Sequence, residues 1–164
     1  MVLFMVSCSG TKYVINGCEY QIYETDNFTG AKKMMTRNHL LDNTNIIKFY
    51  KEKDNCYLVL RLDKRMIISK GDELWIKTAK NGIVKLNSVD NYYYNPNVVS
   101  GANTVTTVID LIPYYAIPES QLSLLCEDEI ISIRVNGGST YFDFNVSPAK
   151  AQKLKASLIC IKNN

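Results

Sequence analysis

The chain has 164 residues, 46% of them apolar, and 19 basic against 16 acidic residues give a net charge of +3. That is enough apolar material for one buried core. A charge this mild, with Lys and Arg scattered rather than gathered into a stripe, excludes nucleic acid as the expected partner, and no run approaches the roughly eighteen apolar residues of a membrane-crossing helix.

In chain order, Met1-Val2-Leu3-Phe4-Met5-Val6-Ser7-Cys8-Ser9-Gly10 is an apolar run closing on a small residue and a cysteine. This is the pattern of the tail of a lipoprotein signal: Met5-Val6-Ser7-Cys8 reads as the lipobox, Cys8 as the lipid attachment, and residues 9–18 as a polar tether before a domain spanning residues 19–164. The run is shorter than the roughly seven to fifteen residues of a full apolar region, and no Lys or Arg precedes it. A start codon upstream of Met1 accounts for both features. The competing reading makes residues 2–6 a strand and Cys8 a buried thiol, but an unbroken apolar run lacks the alternation of a half-buried strand.

Glu19-Tyr20-Gln21-Ile22-Tyr23-Glu24-Thr25 sets Tyr20 and Ile22 against polar neighbours, the pattern of a half-buried strand. Asp26-Asn27-Phe28-Thr29-Gly30 is a turn, and the next strand starts at Lys32. Residues 45–51 and 56–62 are β-prone runs joined by Glu52-Lys53-Asp54-Asn55, a hairpin. Residues 65–69 form a further strand closed by Lys70-Gly71-Asp72. Residues 73–78 and 83–89 flank Ala79-Lys80-Asn81-Gly82, whose Asn-Gly pair suits a type I′ turn. After a loop around Asn91-Tyr92-Tyr93-Tyr94-Asn95-Pro96, residues 104–112 are the longest β-branched run and predict a central strand.

Pro118-Glu119-Ser120-Gln121-Leu122-Ser123-Leu124-Leu125 is a short helix with proline in its first turn and its leucines facing one side. Residues 129–136 and 139–146 form a hairpin around Asn136-Gly137-Gly138. Ser147-Pro148 supplies an N-cap and a first-turn proline for a C-terminal helix, in which Ala151, Leu154, Leu158 and Ile161 recur at helical spacing with lysines opposite. The expected fold is α+β and mainly antiparallel β: a sandwich or open barrel of hairpins with a short helix and a C-terminal helix packed on the sheet.

With Cys8 set aside, Cys18, Cys56, Cys126 and Cys160 could pair in three ways. Their spacing carries no metal pattern. Apolar neighbours around Cys56 and Cys160, and a chain too long to need staples, favour free thiols.

His39 is the only histidine, so paired-histidine chemistry is excluded. A Cys-His nucleophile pair has no support from spacing, and His39 reads as structural. The acidic residues Asp26, Asp42, Asp54, Asp63, Asp72, Asp90, Asp110, Asp143 and Glu127-Asp128-Glu129 sit mostly at turns, where Asp caps backbone amides. Gly137-Gly138 precedes a strand and makes no phosphate loop. No catalytic residue, metal site or cofactor is assigned. The candidate ligand-binding residues are aromatic: Tyr92, Tyr93 and Tyr94 in their loop, Tyr114 and Tyr115 after Pro113, with Trp75 on a strand. Their flat faces and hydroxyls suit sugar rings and protein partners; the alternative is that they cover sheet edges.

Asp26-Asn27-Phe28-Thr29-Gly30-Ala31-Lys32-Lys33, Lys70-Gly71-Asp72-Glu73-Leu74, Asn81-Gly82-Ile83-Val84-Lys85-Leu86 and Ile117-Pro118-Glu119-Ser120-Gln121-Leu122 followed by Ile131-Ser132-Ile133-Arg134-Val135 together resemble uncharacterised lipoproteins of Bacteroides-type bacteria. The resemblance spans roughly residues 20 to 162 and implies an envelope protein, with no catalytic residue carried over. The expectation is a protein held to the membrane of the bacterial envelope by a lipid anchor, on the periplasmic face or the cell surface, serving as a noncatalytic binding module for a protein or glycan. The alternatives are an enzyme or accessory subunit acting on envelope or dietary polysaccharide, and a structural subunit joined through a strand edge.

Overall fold

The computed structural model describes residues 13–100 and 105–164. The expected lipobox and its Cys8 lie outside the described residues, as does the start of the expected tether. The fold begins earlier than Glu19. Strand β1 (Tyr13–Ile15) pairs with β2 (Cys18–Thr25), so the segment expected as tether already forms a hairpin from Tyr13 on. Its two connecting residues are Asn16 and Gly17, both at positive φ (50° and 79°), the conformation a two-residue type I′ turn requires.

β3 (Lys32–Thr36) and the short β4 (His39–Leu40) both pair with β5 (Ile46–Glu52). Where the chain passes from β3 to β4, the Phe49 N–H donates to Thr36 Oγ1 at 3.0 Å, so a buried hydroxyl bridges the gap in the ladder. β5 forms the expected hairpin with β6 (Asn55–Arg61) across Lys53 and Asp54. After β7 (Ile67–Ile68), β8 (Glu73–Thr78) pairs with β9 (Gly82–Ser88). Here the Asn-Gly expectation fails in detail: Thr78 faces Gly82, three residues intervene, and only Gly82 takes positive φ (78°).

β10 (Tyr92–Tyr93) pairs with β7, and β11 (Asn95–Ser100) pairs with β12 (Val105–Asp110). The run expected as a central strand therefore belongs to a separate two-stranded ribbon. β-branched composition favours strand formation without deciding where the strand lies. The centre is taken instead by β13 (Tyr114–Ile117), between β6 and β9. Helix α1 (Glu119–Glu127), the hairpin β14 (Ile130–Gly137) and β15 (Thr140–Asn145), and helix α2 (Pro148–Asn163) complete the chain. Among the described residues the main sheet has eleven strands in the order β1-β2-β3-β5-β6-β13-β9-β8-β14-β15, with β4 beside β5, and it is not closed into a barrel.

Helix α2 packs against β2, β3, β4 and β5 near one end of this order and against β14 near the other. It runs alongside β5. Lys150 near its start donates to the carbonyl of Leu41, close to where β5 begins, and the carbonyl of Ile161 near its end accepts from Lys51, where β5 finishes. Five strand steps separate β5 from β14, about 24 Å in a flat sheet, whereas a helix is only about 10–12 Å across. The sheet therefore curls around the helix. The four expected positions, Ala151, Leu154, Leu158 and Ile161, are buried, and Ser157 is buried with them. They join one core with Tyr20, Phe49, Leu58, Tyr115, Ile76 and Ile133 from the inner faces of the strands.

Cys18 and Cys160 form a disulfide between β2 and α2, which corrects the expectation of four free thiols; Cys56 and Cys126 are free and buried. Burial pushes both of those thiols up from their ordinary pKa. The bridge joins positions 142 residues apart, and loop closure of that length is worth about 5 kcal/mol in the chain-entropy model. Chemical denaturation of oxidised and reduced protein, with Cys18→Ser as control, is expected to show a loss of that order, whereas a change below about 1 kcal/mol would contradict a structural role for the bridge.

Candidate binding face

Strand alternation gives the sheet two faces with different fates. In β6, Cys56, Leu58 and Leu60 enter the main core, while Tyr57 and Val59 point the other way. There they meet Met35, Tyr50, Tyr114 and Ile22 in a second, smaller cluster. Tyr50 stacks on Tyr57 at 5.9 Å between centroids and meets Tyr114 edge-on at 6.3 Å. The Tyr50 hydroxyl donates to Glu52 at 2.9 Å, and its pKa is raised by burial and by this carboxylate.

The expected tyrosines do not gather into one site, although Tyr92 is hydrogen-bonded to the backbone of Tyr114. Tyr114 belongs to this outer cluster, but the next residue, Tyr115, faces the main core with no exposed surface. Period-two alternation sends neighbours to opposite sides. Tyr92 is half-buried, and Tyr93 and Tyr94 are 65% and 42% exposed. Tyr115 is therefore removed from the candidate ligand residues as a core side chain.

Farther along the outer face lies an arrangement the sequence did not announce. Register places Lys85, Trp75, Arg134 and Asp143 in one row across β9, β8, β14 and β15. Arg134 binds Asp143 through two hydrogen bonds of 2.7 Å. Its guanidinium lies 4.2 Å from the ring centroid of Tyr141 and 5.8 Å from that of Trp75, and Lys85 Nζ lies 4.7 Å from Trp75. The Trp75 indole N–H donates to Glu73 at 2.7 Å, which fixes the ring, and Lys85 binds the same carboxylate. Ile83, Lys77, Ser132 and Asn145 form the neighbouring row. Between the rows runs a groove of about 290 Å3 lined by both, with Lys85 outside it. Trp75 itself was legible as an aromatic on a strand. Arg134, nearly sixty residues away, becomes its neighbour only through the β8–β14 pairing.

Seven of the acidic side chains singled out in the sequence are committed to fixed partners. Asp26 accepts from the backbone N–H groups of Phe28 and Thr29, and Asp42 from those of Thr44 and Asn45. Asp72 accepts from Ser69, and Asp90 from Asn91. Burial would raise Asp128, but three backbone N–H groups, of Lys80, Asn81 and Glu129, hold it down at about 2. Asp110 pairs with Arg61. Asp143 is held below the usual carboxylate range by its bonds to Arg134, and Glu73 by those from Trp75 and Lys85. Among the described residues no three His, Cys, Asp or Glu side chains gather as a metal site.

His39 is buried beneath α2, its Nε2 2.8 Å from Ser157 Oγ. The two polar groups satisfy one another inside the helix–sheet seam. A polar residue within the apolar stripe of α2 was the one sequence signal for such a partner. Burial first, then the nearby Arg37 and Lys153, push the imidazole pKa down to about 4. The unfolded chain, with a value near 6.5, thus binds protons more readily, and stability rises with pH across this interval. The contribution is complete above about pH 6.5 and is lost as pH falls towards 4, a change of about 3 kcal/mol. Denaturation between pH 7 and 4.5 should show this slope, and His39→Gln should flatten it; an unchanged slope in the variant would assign the effect elsewhere.

Compared with family models, with curated proteins and with solved structures, the chain matches none of them.

Proposed function

We propose that the protein is a noncatalytic saccharide-binding module, held at the bacterial envelope by a lipid anchor on Cys8, with the Trp75 groove as its ligand site. The groove carries the reading. Sugars present flat C–H faces and directional hydroxyls, and this site pairs an aromatic ring and Ile83 with the mutually fixed Arg134 and Asp143 and the polar side chains of Asn145 and Ser132. Trp and Arg are also the side chains that most often dominate a binding surface. The anchor reading rests on the Met5-Val6-Ser7-Cys8 pattern, and the Cys18–Cys160 disulfide supports an oxidising compartment.

The polysaccharide-cleaving alternative requires a carboxyl held protonated near neutrality. Asp143, the carboxylate in the groove, is shifted the opposite way, which suits a fixed hydrogen-bond acceptor.

Trp75 is the only tryptophan, so intrinsic fluorescence reports on the groove directly. Ligands found on a glycan array are expected to change its emission saturably, and Trp75→Ala to weaken binding about thirtyfold, a hot-spot loss near 2 kcal/mol. Array ligands that bind Trp75→Ala as well as wild type, leaving Trp75 emission unchanged, would contradict this site.

A further inference from the structure

The Asp26-Asn27-Phe28-Thr29-Gly30 turn exposes a phenylalanine almost completely: Phe28 is 99% accessible. The turn beneath it is tightly bonded. Asp26 Oδ1 accepts from the N–H groups of Phe28 and Thr29 and from the Thr29 hydroxyl, Gly30 donates to the Asp26 carbonyl, and Asp26 N–H donates to Ala31. The neighbouring hairpin tip is tied alongside, since Lys53 N–H donates to the carbonyl of Lys32 at 3.1 Å. The ring stands in water on an ordered backbone, so its insertion into an apolar medium costs side-chain freedom but no ordering of the loop.

On the lipid-anchor reading, the direction of the chain points to a bilayer as that medium. β1 is antiparallel to β2 and Tyr13 faces Tyr20, so the polypeptide enters β1 from the side towards which β2 continues, the side of the Phe28 turn. Cys8 precedes Tyr13 by the same number of residues as Thr25 follows Tyr20. Five residues reach at most about 18 Å, enough to bring a bilayer at Cys8 level with the turn. The rim around the turn carries both signs. Lys32, Lys33, Lys51 and Lys53 are balanced by Glu24, Asp26, Glu52 and Asp54, which matches zwitterionic headgroups better than anionic ones.

We infer that the Phe28 turn is a membrane-contacting tip, inserting its ring at the headgroup–acyl boundary while the mixed-charge rim meets zwitterionic phospholipid headgroups. This rests on the lipid-anchor reading above. A single ring cannot hold the protein on a membrane; it fixes the orientation of an already anchored domain.

The test uses the full acylated chain carrying Phe28→Trp in phosphatidylethanolamine–phosphatidylcholine vesicles, with the wild type supplying the Trp75 baseline. The new emission is expected to be blue-shifted and quenched by lipids brominated in the upper acyl chain, with little change when anionic lipid is added. Lipid label on Cys8 together with water-like emission from position 28 overturns the tip and leaves the anchor standing. Absence of label on Cys8 overturns both. Insertion only into anionic vesicles overturns the headgroup assignment. Burial of position 28 only after envelope proteins are added gives the turn to a protein partner and overturns the proposal.

Discussion

Everything in this molecule depends on the seating of α2 in the curl of the sheet. An eleven-stranded sheet that does not close on itself has one apolar face to cover, and here the two helices supply the cover from inside the curl. Leu154, Leu158 and Ile161 are essentially fully buried, each worth about 1.5–3 kcal/mol of burial. The polar contacts of α2 keep it in place along its length: Lys150 to Leu41, Ser157 to His39, Lys51 to Ile161, and the covalent Cys18–Cys160 bridge. Lys155 and Lys162 reach from α2 to Glu127 and Ser123 of α1, so the helices cover the core as a pair.

Because the inner face is spent on the core, the surface left open is the outer face and the turns. The outer face is not uniform. Around β3, β5, β6 and β13 it is aromatic and largely self-packed. Around β8, β9, β14 and β15 it is a row of cations, aromatics and carboxylates with a groove beside it. Exposed ion pairs contribute little to stability, so the Trp75–Arg134–Asp143 row is better understood as geometry than as glue. It holds planar groups in fixed positions at the cost of a few exposed side chains.

The elements were legible where a local pattern was sufficient. The hairpin spanning β5 and β6, the strand from Glu73 to Thr78 and the stripe of α2 follow from period two and period 3.6 in consecutive residues. What depended on long-range pairing was not legible. The Val105–Asp110 strand looked central because it is β-branched, yet it lies in a separate two-stranded ribbon. Two Asn-Gly pairs with the same local preference serve different turns, because the register of the flanking strands, rather than the pair, sets the loop length. Cys18 and Cys160 meet only because β2 and α2 do. The candidate groove was half visible: Trp75 reads from the sequence as an aromatic on a strand, but Tyr115 points inward, and Arg134 and Asp143 join the row of Trp75 only across three paired strands.

The central claim is that α2 and the two arms of the curled sheet form one cooperative unit. Native-state hydrogen exchange of the oxidised protein tests it most directly. Amides of α2 in the Leu154–Ile161 stretch should exchange with those of β5, β6 and β14, at the free energy of global unfolding. Exchange of α2 well below that free energy, with the strands still protected, would show that the helix is a detachable cover and would contradict the account.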